Sequence, residues 1–168
     1  YNYTIGKNNA IAMIASTPQS PQELYFMANP ESAPKQLTNF HQEIKLVQLG
    51  KVEPFSWKSD EFTPNGILTF PPDFDPAKKY PLVVEPHGGP RSTSKESFNS
   101  STQLKAAHGY IVFQPNYRGS DNMGYKFSES INGDAGEGPG RDVMRGLAAL
   151  KKRNYIDTTK IAVTGWSY

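Results

Sequence analysis

The sequence has 168 residues, of which 36% are hydrophobic and 20% charged, with 14 glycines, 14 prolines and a net charge of +2. This is chain enough for one ordinary domain and too apolar for a disordered one, and no stretch approaches the ~18 apolar residues of a membrane span. The basic residues are dispersed, with Lys151-Lys152-Arg153 the only run, so no nucleic-acid footprint is present; without cysteine there is no disulfide framework or thiolate metal site.

The chain opens on Tyr1 with no basic and apolar leader pattern, so the native N-terminus is expected to lie outside these residues. Asn2-Tyr3-Thr4 and Asn99-Ser100-Ser101 match the glycosylation acceptor pattern, which is common by chance. The lack of cysteine suits the cytoplasm without excluding secretion, and the compartment is not readable.

Residues 10–16 (AIAMIAS) and 23–28 (ELYFMA) are short apolar runs joined by turn residues, the pattern of a hairpin. The stretch NPESAPKQLTN adds a further turn and a polar edge, and nothing helical is expected before about residue 45. Such small strands cannot bury both faces alone and read as part of a larger β array. Residues 46–60 read as a crossover without periodicity. From Phe62 the pattern changes: 66–70 (GILTF), 80–86 (YPLVVEP) and 110–115 (YIVFQP) read as strands, the last two dense enough to be buried on both faces. A short helix is expected over 101–108. A second over 141–152 presents Val143, Met144, Leu147 and Leu150 on one face. The stretch 160–165 (KIAVTG) reads as the next buried strand. Strand, helix, strand, helix, strand predicts an α/β fold with a parallel sheet.

That last strand runs into Gly165-Trp166-Ser167-Tyr168. Four of the five positions of G-x-S-x-G are present, the strained strand-to-helix turn that exposes a nucleophilic serine. A serine hydroxyl attacks only when a base takes its proton and N–H groups receive the oxyanion. A second motif, His87-Gly88-Gly89-Pro90, directly follows the strand at 80–86, where a glycine pair lets a backbone N–H point into the ligand crevice. Either motif alone is an ordinary turn; both in this order, each after a strand, point to a serine hydrolase. His87 itself reads as a structural loop residue. Gly-rich 133–141 lacks the P-loop and dinucleotide patterns and reads as a loop entering a helix. Arg118 reads as a structural ion pair with Asp142 as its candidate partner.

The segments HGGP, PNYRGSDNMGYKF (115–127), RDVMRGLAALKKRNYID (141–157) and KIAVTGWSY (160–168) resemble the prolyl oligopeptidase family of serine peptidases, nearest its acylaminoacyl-peptidase-like branch. Residues 14–27 and 35–40 resemble, more loosely, the closing blade of that family's β-propeller, and 55–84 its entry into the hydrolase domain. The resemblance implies the end of a β-propeller over 1–48, a linker over 49–60, and the N-terminal part of an α/β-hydrolase domain over 61–168. It implies Ser167 as nucleophile, the N–H groups of Gly89 and Tyr168 as the oxyanion hole, no cofactor or metal, and short or N-terminally blocked peptides as substrates. Family members carry the catalytic Asp and then His after the serine, whereas His41, His87 and His108 all precede Ser167. The expectation is therefore a chain truncated at its nucleophile, inactive alone and prone to associate through an uncovered apolar face. Two other functions remain open: a non-catalytic interaction module, and an esterase built on the same turn.

Overall fold

The computed structural model describes residues 2–168, which form two compact units. One holds the residues up to Leu49 with Ser97–Ser100, the other Gly50–Glu96 with Ser101–Tyr168.

The first unit is a four-stranded antiparallel sheet of β1 (Asn2–Ile5), β2 (Ile11–Thr17), β3 (Ser20–Met27) and β4 (Lys35–Gln36), in that order. The expected hairpin is β2–β3, with Ile14 opposite Leu24 and Met13 opposite Tyr25. The polar edge is β4, two residues long. β1 escaped the sequence reading because NYTI has only four residues, all exposed. Among the described residues, helical backbone before residue 45 is confined to 3-10 turns at Lys7–Asn9 and from Gln42.

Buried Glu23 ties this sheet to the segment that follows it. Its carboxylate accepts from the Thr38 hydroxyl, from the Phe40 amide at 2.8 Å and from the His41 amide at 3.3 Å. The Thr38 hydroxyl, ahead of the other donors, holds the carboxyl below its usual pKa against the opposing effect of burial. Its stabilisation is therefore complete above the ordinary carboxylate range and is lost as pH falls through the lowered value. Glu23→Ala leaves these donors unpaired, and amide exchange at Phe40 is expected to accelerate roughly tenfold at neutral pH. Unchanged exchange at Phe40 would show that the carboxylate does not hold this segment.

The second unit is built on a five-stranded sheet. Its strands are β5 (Val52–Ser56), β6 (Asn65–Thr69), β7 (Tyr80–Val84), β8 (Ile111–Asn116) and β9 (Ile156–Val163), in the order β5-β6-β8-β7-β9. Helix α1 (Ser100–Ala107) joins β7 to β8; α2 (Tyr125–Glu129) and α3 (Glu137–Leu150) lie between β8 and β9. The sheet is mixed, not parallel throughout: β7 pairs parallel with β8 and β9, while β5–β6 and β6–β8 are antiparallel. The crossover read over 46–60 in fact carries β5. Pro54 and the charged residues around it hid the strand, and its edge position is what allows a proline.

β7 and β8 are buried as their composition requires, with Leu82, Ile111, Val112 and Phe113 fully covered. Phe113 meets Trp57 edge-on at 5.3 Å between ring centroids, and Trp57 stacks on Phe55. From α3, Leu150 joins this core, with Val143 and Leu147 packed against it. Two expectations fail. Met144 is 62% exposed, because the face of α3 turned to the core runs through 143, 147 and 150 instead. Among the described residues β9 pairs with β7, and Val163 is 71% exposed, so the burial expected over 160–165 is not seen in them.

Candidate active site

Two loops at the carboxyl ends of neighbouring parallel strands meet in the second unit, where α/β sheets present their ligand sites. The first follows β9. Thr164 extends the pairing by donating its N–H to Val84 O at 2.9 Å, and the chain then turns through Gly165, Trp166 and Ser167. Ser167 has φ +61°, in the left-handed region that disfavours a residue with a Cβ by about 1–2 kcal/mol. This is the backbone signature of a strained turn that lifts a serine out of a strand end, and the side chain is exposed.

The second loop follows β7, whose last pairing is the Glu85 N–H to Phe113 O at 2.8 Å. Gly88 touches the serine turn: a Cβ on Gly88 would lie 2.5 Å from Trp166 O and 3.0 Å from Ser167 Cβ. Only glycine fits there. Gly89, singled out from the sequence, comes next at φ +132°, and a Cβ on it would crowd Arg91 and Ser92 rather than the serine. Nothing in the pattern Gly-Gly told which of the two would face Ser167. Tyr168, the other expected donor, has its hydroxyl bonded to Ala135 O and its ring 6.4 Å from that of Tyr117.

His87 is held on every side. Nδ1 donates to Gly88 O at 2.9 Å, Nε2 lies 2.9 Å from Ser120 Oγ, and the ring stacks on Tyr117 with centroids 4.7 Å apart. Burial pushes its pKa down, so the neutral ring is favoured; Nδ1 carries the proton that Gly88 O accepts, while the Ser120 hydroxyl, 2.9 Å from Nε2, donates to Tyr117 O at 2.7 Å. With both nitrogens engaged, His87 is a structural residue and not a base aimed at Ser167.

Arg118 is paired with Asp142, as the sequence reading anticipated, in a network the sequence did not reveal. Asp142 is fully buried and accepts from the Arg118 amide (2.8 Å), Nε (2.9 Å) and guanidinium terminus (2.7 Å), and from Ser59 Oγ (2.5 Å). Arg118 also reaches Asp60 at 2.7 Å, which Arg145 and Arg141 contact from α3. The first turn of α3, read as loop, is helical, and Asp134 Oδ1 accepts from its Gly138 amide at 2.9 Å.

A cavity of about 530 Å³ includes Ser167 in its lining, together with apolar Val143, Met144 and Val163 and with His87, Tyr117 and Tyr168. An exposed nucleophile-type serine, a glycine loop in contact with it and an adjoining apolar cavity are the parts of an acyl-transfer site, lacking among the described residues a base aimed at the hydroxyl.

Residues 96–168 match the model of the prolyl oligopeptidase family. Dipeptidyl-peptidase 5 of Porphyromonas gingivalis is 40% identical over 103 residues, 60% of this chain and 15% of that protein. The solved acylaminoacyl peptidase of Pyrococcus horikoshii superposes with a TM-score of 0.88 at 25% identity, covering 99% of this chain and 27% of that one. A structure of acylaminoacyl peptidase in complex with Z-Gly-Gly-Phe-chloromethyl ketone gives 0.87 at 25% identity, with coverage of 99% and 27%. The chain thus spans between about a seventh and about a quarter of the length of these proteins.

Proposed function

From a chain that belongs to the prolyl oligopeptidase family, we propose a serine peptidase of that type, cleaving short or N-terminally blocked peptides through an acyl-enzyme. The observation that carries this reading is Ser167, held at φ +61° at a strand end with Gly88 packed against it. The blocked tripeptide ketone bound by the neighbouring acylaminoacyl peptidase supports the substrate class.

Ser167 Oγ attacks the scissile carbonyl carbon as its proton passes to a general base. The C–N bond then breaks, and the base returns the proton to the departing amine. Water repeats the sequence on the ester and frees the acid and the serine. The Gly89 and Tyr168 N–H groups receive the tetrahedral oxyanion. In the Ser, Asp, His order of α/β-hydrolases the base is a histidine C-terminal to the nucleophile; His87, which precedes Ser167, is committed to Gly88 O and Ser120. The first unit is read as the end of a β-propeller, which in the family restricts access to small substrates.

The test is a fluorophosphonate probe on the natural-length protein. One adduct is expected, mapping to Ser167, and a Z-blocked peptide substrate is expected to protect against it. Absence of an adduct overturns the reading in favour of a non-catalytic module. An adduct with turnover of short acyl esters but no blocked peptide replaces peptidase by esterase.

A further inference from the structure

We infer that Tyr117 is a positioning residue that orients the oxyanion loop and links it to Tyr168. This inference rests on the reading of Ser167 as nucleophile.

The argument is one of peptide planes. In a trans peptide the C=O and the following N–H point in opposite directions, so a hydrogen bond to the carbonyl fixes where the N–H points. Tyr117, at the end of β8, is 3% exposed, and its hydroxyl donates to His87 O at 2.5 Å. That bond fixes the His87–Gly88 plane at the glycine in contact with Ser167, and so the start of the turn whose following plane carries the Gly89 N–H. The next plane, Gly88–Gly89, is set by His87 Nδ1 on Gly88 O. The imidazole that makes this bond is itself oriented by the Tyr117 ring, 4.7 Å away and 20° from parallel. One side chain therefore governs two successive amides of the loop, the first by its hydroxyl and the second through a stacked ring.

The same ring also reaches the other loop, lying 6.4 Å from Tyr168. Burial pushes the Tyr117 phenol up to about 12, so the hydroxyl stays a donor throughout the working pH range. Its own backbone is anchored next door, where the Arg118 amide donates to buried Asp142.

The experiment compares wild type, Tyr117→Phe and Tyr117→Leu in the natural-length protein. It measures kcat and KM on p-nitrophenyl butyrate, with rates expressed per serine titrated by fluorophosphonate, and the affinity for phenylboronic acid, which forms a tetrahedral adduct. Tyr117→Phe keeps the stacked ring and removes only the hydroxyl. We expect kcat to fall roughly 10–10²-fold with KM within about twofold, and boronate affinity to fall in parallel. Tyr117→Leu also removes the stack and should lose more. A purely structural tyrosine would lower the thermal midpoint and leave kcat per titrated serine unchanged. Unchanged kcat and boronate affinity in Tyr117→Phe overturn the inference while a labelled wild type leaves Ser167 standing; an unlabelled wild type overturns both.

Discussion

Asp142→Ala is expected to destabilise the unit that carries the serine by about 3–5 kcal/mol, the usual cost of removing one partner from a buried ion pair. The carboxylate is fully buried and takes four hydrogen bonds, three from Arg118 and one from Ser59. Its loss leaves a guanidinium that is itself 6% exposed, with Asp60 as its one remaining carboxylate. For a unit of this size the thermal midpoint should drop on the order of 10 °C. Asp142→Asn, which keeps the shape but turns an NH₂ toward donors, should recover little of this. Asp60, held well below the ordinary carboxylate pKa mainly by Arg118 and then by Arg145, adds a pH dependence. Its contribution is complete above its unfolded value and disappears only as pH falls through the lowered one, in strong acid. A thermal midpoint within 2 °C of wild type for Asp142→Ala would show that the network is not the anchor described. The network also bears on chemistry, because it fixes the backbone of residue 118 beside Tyr117, whose hydroxyl sets the glycine loop.

What could be read beforehand divides along physical lines. β7 and β8 were legible because strands covered on both faces are continuous apolar runs, and Ile111 to Phe113 have no exposure. α3 was legible from Val143, Leu147 and Leu150, but its first turn was not. Glu137-Gly138-Pro139-Gly140 has poor intrinsic helix propensity, and the Asp134 carboxylate just before it accepts the Gly138 amide, one of the N–H groups that the first turn leaves without a helical partner. β5 was hidden by Pro54, whose tolerance depends on an edge position that only the sheet order reveals. The sequence paired Arg118 with Asp142 on charge alone, yet Asp60 and Ser59 enter through tertiary folding that no local pattern encodes. The site followed the same rule. The two motifs were visible separately, while the choice of Gly88 as the residue against Ser167, and the clamp of Tyr117 on His87, are products of how the two strand ends meet.

That meeting makes Gly88→Ala the most informative single substitution at the site. The added methyl would lie 2.5 Å from Trp166 O and 3.0 Å from Ser167 Cβ, so either the glycine loop or the serine turn must shift by an amount approaching 1 Å. The serine turn has little freedom to give, since Ser167 already sits at φ +61° and Gly165 packs 3.2 Å from Pro86 O by the same measure of an added Cβ. A displacement of ~1 Å between nucleophile and oxyanion donors costs on the order of 10²-fold in turnover. The lower limit is set by Ser167→Ala, for which a loss on the order of 10⁶-fold in kcat is expected if the serine is the nucleophile. Gly88→Ala should therefore fall between the two, with substrate still binding, because the apolar walls of the cavity at Val143, Met144 and Val163 are untouched. The measurement is kcat and KM per serine titrated, with the fluorophosphonate labelling rate alongside. A Gly88→Ala protein that turns over at the wild-type rate would mean that the loop does not serve Ser167, and that the contact between the two strand ends is packing without chemical consequence.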